Sequence, residues 1–219
     1  MKYQHYVFSL LLIMLSTSIA WAGETKWQLK KDKNGIQVFT KQKEDTQIYM
    51  YKVVTTVSAK PETVYRQVVD FADNLKHMEL VDSLKFLEHQ EDRRYRNYMR
   101  FNMPWPIKNR DMVIEMSVTK DKNGFYLEST NLPEYLPKNQ GIIRIEDFYE
   151  KWIIQKGSNQ NESQIVVTGW VDPGGTIPAW VVRLSSVKTP FRFISGIIGE
   201  VKGSNLYNQA VNKDTIPKH

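Results

Sequence analysis

Apolar and polar residues alternate along much of this chain, which is the pattern expected of half-buried β-strands. Two early segments, Ile36 to Lys41 and Gln47 to Val57, are dense in β-branched and aromatic residues. The same pattern predicts seven later strands, at residues 83–90, 94–101, 111–119, 125–130, 141–147, 152–155 and 164–171. Short turn-like stretches separate most of them, so we expect neighbouring strands to pair antiparallel in one large, strongly curved sheet.

One short helix is predicted after the early strands, where the apolar period changes to that of an amphipathic helix. Ser58 is a candidate N-cap, Pro61 suits a first turn, and Val64, Val68 and Phe71 follow at helical spacing.

The final predicted helix carries the clearest pattern in the chain. Its stripe of apolar residues recurs at spacings of three and four, at Trp180, Leu184, Val187, Phe191, Ile194, Ile198 and Val201. Pro190 falls inside the stripe, where its missing N–H should kink or divide the helix. The residues off the stripe predict a basic outer side, formed by Arg183, Lys188, Arg192 and Lys202.

Together these elements predict an α+β fold in which a long C-terminal α-helix covers the concave face of a curved antiparallel β-sheet. A single helix cannot fill a wide curved sheet. The interior is therefore either filled by side chains or open to a ligand.

Residues 1–22 have the three parts of a secretory signal peptide: a basic start, an apolar centre and the A-x-A exit Ala20-Trp21-Ala22. The alternative is an uncleaved anchor, but a spanning helix needs about 20 mostly apolar residues, and Ser16-Thr17-Ser18 interrupts this run. We therefore expect an exported protein, periplasmic if the source is bacterial and otherwise secreted. Its single domain is predicted at residues 23–203, with a flexible tail at residues 204–219.

Composition supports one folded domain and removes several classes of function. Of 219 residues, 41% are hydrophobic and 12% aromatic, unlike a disordered chain. There is no cysteine, and the few histidines are His5, His77, His89 and His219, so we expect no metal and no cofactor. The net charge is +6, but the basic residues are interspersed with acids, so nucleic-acid binding is not expected. The sequence also lacks a nucleophile elbow, a phosphate loop, a paired-histidine zinc motif and a dinucleotide fingerprint.

Three separated segments, at residues 104–111 (PWPIKNRD), 137–144 (PKNQGIIR) and 169–180 (GWVDPGGTIPAW), occur in the order found in one known family. The chain resembles the START family, the lipid-transfer domains related to the steroidogenic acute regulatory protein, within the helix-grip superfamily. The resemblance spans about residues 27–203. It implies a curved antiparallel sheet that grips the C-terminal helix and encloses a hydrophobic tunnel. The residues that match the family motifs are Trp105, Arg110, Asp111, Asp172, Pro173, Gly174 and Pro178.

Candidate ligand contacts follow from this expected tunnel. Strand alternation places Tyr95, Asn97, Met99 and Phe101 on the inward face of residues 94–101. The remaining predicted tunnel-lining residues are Arg144 and, from the final helix, Trp180, Leu184, Val187, Phe191 and Ile194.

Several of these residues also have a purely structural interpretation. Asn97 is either satisfied by the backbone or presented to a ligand, and Arg144 has Glu146 as its natural ion partner. Arg110 and Asp111 form either a strand-edge ion pair or a contact to a ligand headgroup.

Two further motif residues are open in the same way. Trp105 is either a rim aromatic that touches a membrane or ligand, or a plug at the base of the fold. Asp172 precedes Pro173-Gly174-Gly175, which is the chemistry of a turn, and Thr176 is a possible helix cap.

The resemblance implies a non-catalytic protein that binds one hydrophobic ligand and carries it between membranes or to a partner. Sterol, phospholipid, fatty acid and quinone all demand the same apolar wall, so the ligand stays open. The alternative is a polyketide cyclase-like enzyme that acts on a hydrophobic substrate in the same cavity. We expect a monomer that makes transient contact with a membrane surface.

Overall fold

The computed structural model describes residues 26–91, 93–175 and 177–203. These residues form ten strands and a small set of helices. The strands are β1 Gln28–Lys33, β2 Ile36–Gln42, β3 Tyr49–Val57, β4 Val81–Gln90, β5 Arg94–Phe101, β6 Arg110–Lys120, β7 Gly124–Asn131, β8 Ile143–Arg144, β9 Asp147–Lys156 and β10 Ser163–Asp172. The helices are α1 Pro61–Val69, α2 Phe71–Asn74, a 3₁₀ turn at Leu75–His77, α3 Ala179–Arg183, a π-helical segment at Leu184–Lys188 and α4 Thr189–Lys202.

The strands form one open sheet in the order β1-β2-β3-β10-β9-β7-β6-β5-β4. Neighbours in this order pair antiparallel, as the sequence predicts, and only the short β8 pairs in parallel, with β6. The sheet does not close, so β1 and β4 are its two edges. A large antiparallel sheet with a long C-terminal helix confirms the predicted α+β helix-grip fold.

Three local predictions differ from the structure. Strand β1 was not predicted, because its polar sequence QLKKDK lacks an apolar alternation. The strand predicted at residues 141–147 is reduced to β8, and Asp147 already belongs to β9. The N-cap of α1 is Lys60 rather than Ser58, with no side-chain cap, although Pro61 occupies the first turn as expected.

The final helix is interrupted next to Pro190, where the sequence predicts a kink or a division. Its central segment Leu184–Lys188 is π-helical, and the N–H of Thr189 donates to the carbonyl of Leu184, five residues earlier. The change of register falls immediately before Pro190, the residue that has no N–H to donate.

Helix α4 packs its apolar face into the concave side of the sheet. Phe191, Ile194, Ile197 and Ile198 are almost fully buried there. Gly196 allows a close approach, because a Cβ at this position would lie 2.4 Å from Cγ of His77. The helix is therefore pressed onto the 3₁₀ turn as well as onto the sheet. The predicted leader and tail lie outside the described residues, as does Thr176.

Candidate functional site

The space between the sheet and the final helix contains a cavity of about 220 Å³. Its floor comes from β3, β5, β6, β7, β9 and β10, and its cover from residues 77–81 and the final helix. Five of the chain's eight methionines lie on its wall: Met78, Met99, Met103, Met112 and Met116. Methionine side chains are unbranched and adapt to irregular partners. The wall can therefore adapt to apolar partners of irregular shape.

One polar group on this wall is a half-buried carboxyl group on β9. Glu150 Oε1 accepts a hydrogen bond from the Tyr51 hydroxyl at 2.5 Å, and Oε2 accepts one from Trp152 Nε1 at 2.8 Å. Burial raises the pKa of Glu150, and the two hydrogen bonds only partly oppose that rise. Burial, together with the neighbouring carboxylate, also raises the pKa of Tyr51 well above its usual value.

A second polar group lies at the boundary between the cover and the helix. Arg192 of α4 forms an ion pair with Glu79, which follows the 3₁₀ turn. Both residues line the cavity, and Arg192 is 2% exposed rather than on the predicted basic outer side. His77 is buried beside them, and its Nε2 lies 3.2 Å from Glu200 Oε1.

Arg110 also reaches the cavity wall, but its guanidinium is committed to backbone carbonyls. It donates to Pro173 and Gly174 at 3.2 Å each and to Lys108. These bonds tie the loop before β6 to the corner after β10. In that corner, Asp172 Oδ1 accepts the N–H of Gly174 at 2.8 Å, so Asp172 forms a turn of the kind its sequence indicates.

Asp111 and Arg144 form a sealed ion pair away from the cavity wall. Arg144 Nε donates to Asp111 Oδ1 at 2.7 Å, and both side chains are 1% exposed. The remaining donors of Arg144 bond the carbonyls of Pro133, Leu136 and Pro137. The partner of Arg144 is therefore Asp111 rather than Glu146, which turns outward to Lys138 because β8 ends before it.

The structure brings only part of the predicted tunnel lining onto the cavity wall. Met99, Phe101 and Leu184 lie on it. The other predicted lining residues lie elsewhere: Arg144 in its ion pair with Asp111, Tyr95, Asn97, Phe191 and Ile194 in the packed core, Val187 on an outer groove, and Trp180 at the surface. Asn97 is 1% exposed, and its Nδ2 has no hydrogen-bond partner among the described residues.

Sequence reasoning missed Tyr51, Glu150 and the pair of Glu79 with Arg192. Glu150 had a readable signal, since Phe148, Glu150 and Trp152 alternate along β9 and share its inward face. An acid among inward-facing aromatics indicates a buried carboxyl group that needs hydrogen-bond donors.

Two tryptophans lie at the surface near the motif loops. Trp105 is 93% exposed and precedes a cis proline, Pro106, while Trp180 is 47% exposed. Trp105 is thus not a plug at the base of the fold. Among the described residues, no helix combines the length and apolar character that crossing a membrane requires. Within the same residues, no three potential metal ligands cluster together.

Comparisons with known proteins agree on one family. A family model described as START domain matches residues 13–198. An uncharacterized protein of Pseudomonas aeruginosa is 27% identical over 172 residues, which cover 78% of this chain and 84% of that protein. The phosphatidylcholine transfer protein of Bos taurus is 25% identical over 179 residues, covering 78% and 82% of the two chains.

Similarity extends to solved structures. The crystal structure of a STAR-related lipid transfer protein fragment from Xanthomonas axonopodis superposes with a TM-score of 0.71 at 24% identity. The match covers 80% of this chain and 98% of that one. The predicted helix-grip architecture is confirmed by this fold, and the predicted family by the matching family model.

Proposed function

We propose that this chain, which belongs to the START domain family, binds one hydrophobic ligand in its interior cavity and carries it between membranes or to a partner protein. The observation that carries the proposal is the methionine-rich cavity between the sheet and the final helix. The similarity to lipid transfer proteins supports the class of ligand.

Burial supplies the affinity for such a ligand. Each CH₂ group moved from water into an apolar site is worth about 0.8 kcal/mol, so a long acyl chain gains on the order of 10 kcal/mol. A ligand that leaves a bilayer gains far less, because the bilayer is already apolar. The protein's contribution to transfer is then a dry path and a reversible opening.

The cavity of about 220 Å³ lies below the range of about 300–1,000 Å³ that is typical of small-molecule pockets. Entry of a lipid therefore requires the cover to move. The π-helical segment before Pro190 supports an opening at that point, since such irregular turns are frequent at functional sites.

The proposal also includes contact between Trp105 and the membrane during transfer. An indole that is 93% exposed on a loop favours the interface between headgroups and acyl chains, where tryptophan is enriched in membrane proteins. Export to the periplasm or outside the cell, with removal of residues 1–22, would place the protein beside such membranes.

The experiment has two stages. Native mass spectrometry of the purified protein, followed by organic extraction, should reveal one bound lipid per chain. Transfer of a fluorescent lipid between vesicles should then be slower for Trp105→Ser, while equilibrium binding stays unchanged. Phe86→Ser is the matched control, because Phe86 is also an exposed aromatic side chain, at 56%, but lies on the edge strand β4. A protein that takes up no lipid would refute the proposal.

The cyclase-like alternative gains no specific support from the described residues. It relied on Arg144, Asn97 and a few tyrosines for acid–base chemistry. The guanidinium of Arg144 is engaged by Asp111 and by three carbonyls, so it is not placed to act on a bound substrate. We therefore propose a non-catalytic role.

A further inference from the structure

A row of polar positions crosses the apolar floor of the cavity. In the register of the sheet, Gly169 of β10 pairs with Tyr51 of β3 on one side and with Glu150 of β9 on the other. Ser129 of β7 lies opposite Glu150 on the next strand. Tyr51, Glu150 and Ser129 all line the cavity, so the row presents a hydroxyl, a carboxyl and a second hydroxyl to the same space.

Gly169 allows Tyr51 and Glu150, which lie on the two strands beside it, to meet. A Cβ at this position would lie 2.8 Å from the Tyr51 hydroxyl oxygen and 2.5 Å from the carbonyl oxygen of Tyr149. Because the central strand carries no side chain there, the Tyr51 hydroxyl passes over it and reaches Glu150. The contact is thus built into three adjacent strands and does not depend on a flexible loop.

The carboxyl group of Glu150 has hydrogen-bonding capacity left over. A carboxylate offers about four lone-pair sites, and Tyr51 and Trp152 each occupy one. Glu150 is half-buried on the cavity wall, so these remaining sites are open to a further polar group that enters the cavity. The row therefore provides a polar contact point in a cavity that otherwise recognises only apolar surface.

We propose that Glu150 recognises an uncharged hydroxyl group at the polar end of an otherwise apolar ligand. This inference rests on the proposed function and names the ligand class of that same cavity. The neighbouring hydroxyls of Tyr51 and Ser129 complete a polar contact surface for such a group.

The choice of a hydroxyl follows from the chemistry of the carboxyl group. A hydroxyl both donates and accepts, so it pairs with Glu150 in either protonation state. An ammonium group pairs only with the ionised carboxylate, and an anionic headgroup is repelled by it. The raised pKa of Glu150 brings its neutral form closer to physiological pH and adds to the advantage of an uncharged partner.

The other charged groups on the cavity wall are already committed. Arg192 of the final helix pairs with Glu79, and Arg110 bonds backbone carbonyls. His77 of the cover lies beside Glu200. They do not supply the cationic partner that a phosphate or carboxylate headgroup would need next to Glu150.

A competition experiment separates the three headgroup types. Hexadecanol, hexadecylamine and hexadecanoate share one chain and are used to displace the uncharged dye Nile red from the full protein near pH 7. We expect the alcohol to displace the dye at about tenfold lower concentration than either charged ligand, the worth of one well-placed hydrogen bond in a dry site. Glu150→Leu should raise the concentration of alcohol needed for displacement about tenfold, whereas Glu150→Gln, which still donates and accepts, should keep most of the affinity for the alcohol.

Two further variants test whether the effect belongs to Glu150 and its contact with Tyr51. Glu128 on the outer face accepts a hydrogen bond from the Tyr149 hydroxyl at 2.7 Å, so Glu128→Gln changes a matched pair that does not face the cavity. It should leave the ranking unchanged. Gly169→Ala should weaken the preference, because the added methyl group displaces the Tyr51 hydroxyl while Glu150 remains. Circular dichroism and thermal unfolding establish that each variant is folded.

The outcomes are distinct. If wild-type protein binds Nile red and all three ligands equally, or if Glu150→Leu leaves displacement by the alcohol unchanged, the role of Glu150 is overturned while hydrophobic binding stands. A tighter complex with the amine or the carboxylate overturns it as well. If wild-type protein binds neither the dye nor any ligand, the proposed function fails and this inference fails with it.

Discussion

Two ion pairs of the same chemistry lie in different parts of this molecule and differ in what surrounds them. In the pair of Asp111 with Arg144, both side chains are 1% exposed, and further donors and acceptors enclose them. In the pair of Arg192 with Glu79, the exposures are 3% and 26%, and both residues line the cavity. The first pair joins parts of the sheet and its loop, whereas the second joins the final helix to the cover.

The difference shows that burial of a charge does not by itself indicate a ligand site. The Asp111 carboxylate also accepts hydrogen bonds from Asn139 at 2.9 Å and Tyr98 at 3.2 Å, so little capacity remains. Burial acts to raise the pKa of Asp111, but the hydrogen bonds from Arg144 and Asn139 outweigh it and hold the pKa below its usual value. The Asp111 pair therefore stabilises the fold. The pair of Arg192 with Glu79 joins the final helix to the cover, so it can break when the cover moves.

Breaking the sealed pair should have the largest effect. Asp111→Asn leaves the Arg144 guanidinium buried without its counter-charge, and such a loss costs about 3–5 kcal/mol of unfolding free energy. Denaturant unfolding monitored by tryptophan fluorescence measures it. The control is Asp82→Asn in the exposed pair with Arg100, where a change below about 1 kcal/mol is expected. Equal effects of the two substitutions would show that the Asp111 pair is not specially enclosed.

Breaking the pair of Glu79 with Arg192 should change the release rate of a bound lipid more than it changes the free energy of unfolding. Glu79→Gln keeps the shape of the side chain but removes its charge, and we expect a loss of about 1–3 kcal/mol. The larger change should be faster release of a bound fluorescent lipid, because the pair holds α4 to the cover. Stopped-flow dilution into acceptor vesicles measures the release rate. An unchanged rate in a destabilised variant would assign this pair to architecture too.

Acidification should sharpen the comparison without any substitution. Burial lowers the pKa of His77 below its usual value, although Glu200 opposes that effect. Below about pH 6.5 the unfolded chain therefore binds a proton that the folded chain excludes, and stability falls with pH. Asp111 also loses its contribution on acidification, but only at lower pH, since its lowered pKa preserves that contribution until the pH falls below about 4.

Between about pH 6.5 and pH 4.5, then, the protein should lose the stability that depends on neutral His77, while the Asp111 pair stays intact. His77→Gln should flatten the decline in thermal stability over this range, and His89→Gln, on the exposed face of β4, should not. Loss of stability that is the same in wild type and in His77→Gln would contradict this assignment.

Much of the fold was predictable because the strands and the final helix bury one face each. Alternation fixed β5 at residues 94–101, and spacings of three and four identified the helix that carries Phe191 and Ile194. The site was less predictable. The strand that carries Glu150 was predicted to begin only at Trp152, so the acid was assigned to no face. The partner of Arg192 is 113 residues away in sequence, and no local pattern indicates such a pairing.

The two free edges of the sheet have a consequence for a protein with an apolar interior. Strand β1 presents Lys30, Lys31 and Lys33, and β4 has register shifts between Val81 and Ser83 and between Phe86 and Glu88. Charges and bulges of this kind make poor templates for the addition of a foreign strand. The proposed carrier function requires the cover to open repeatedly and to expose apolar surface briefly. Guarded edges then limit the risk that an opened molecule joins another through its backbone and is lost to aggregation.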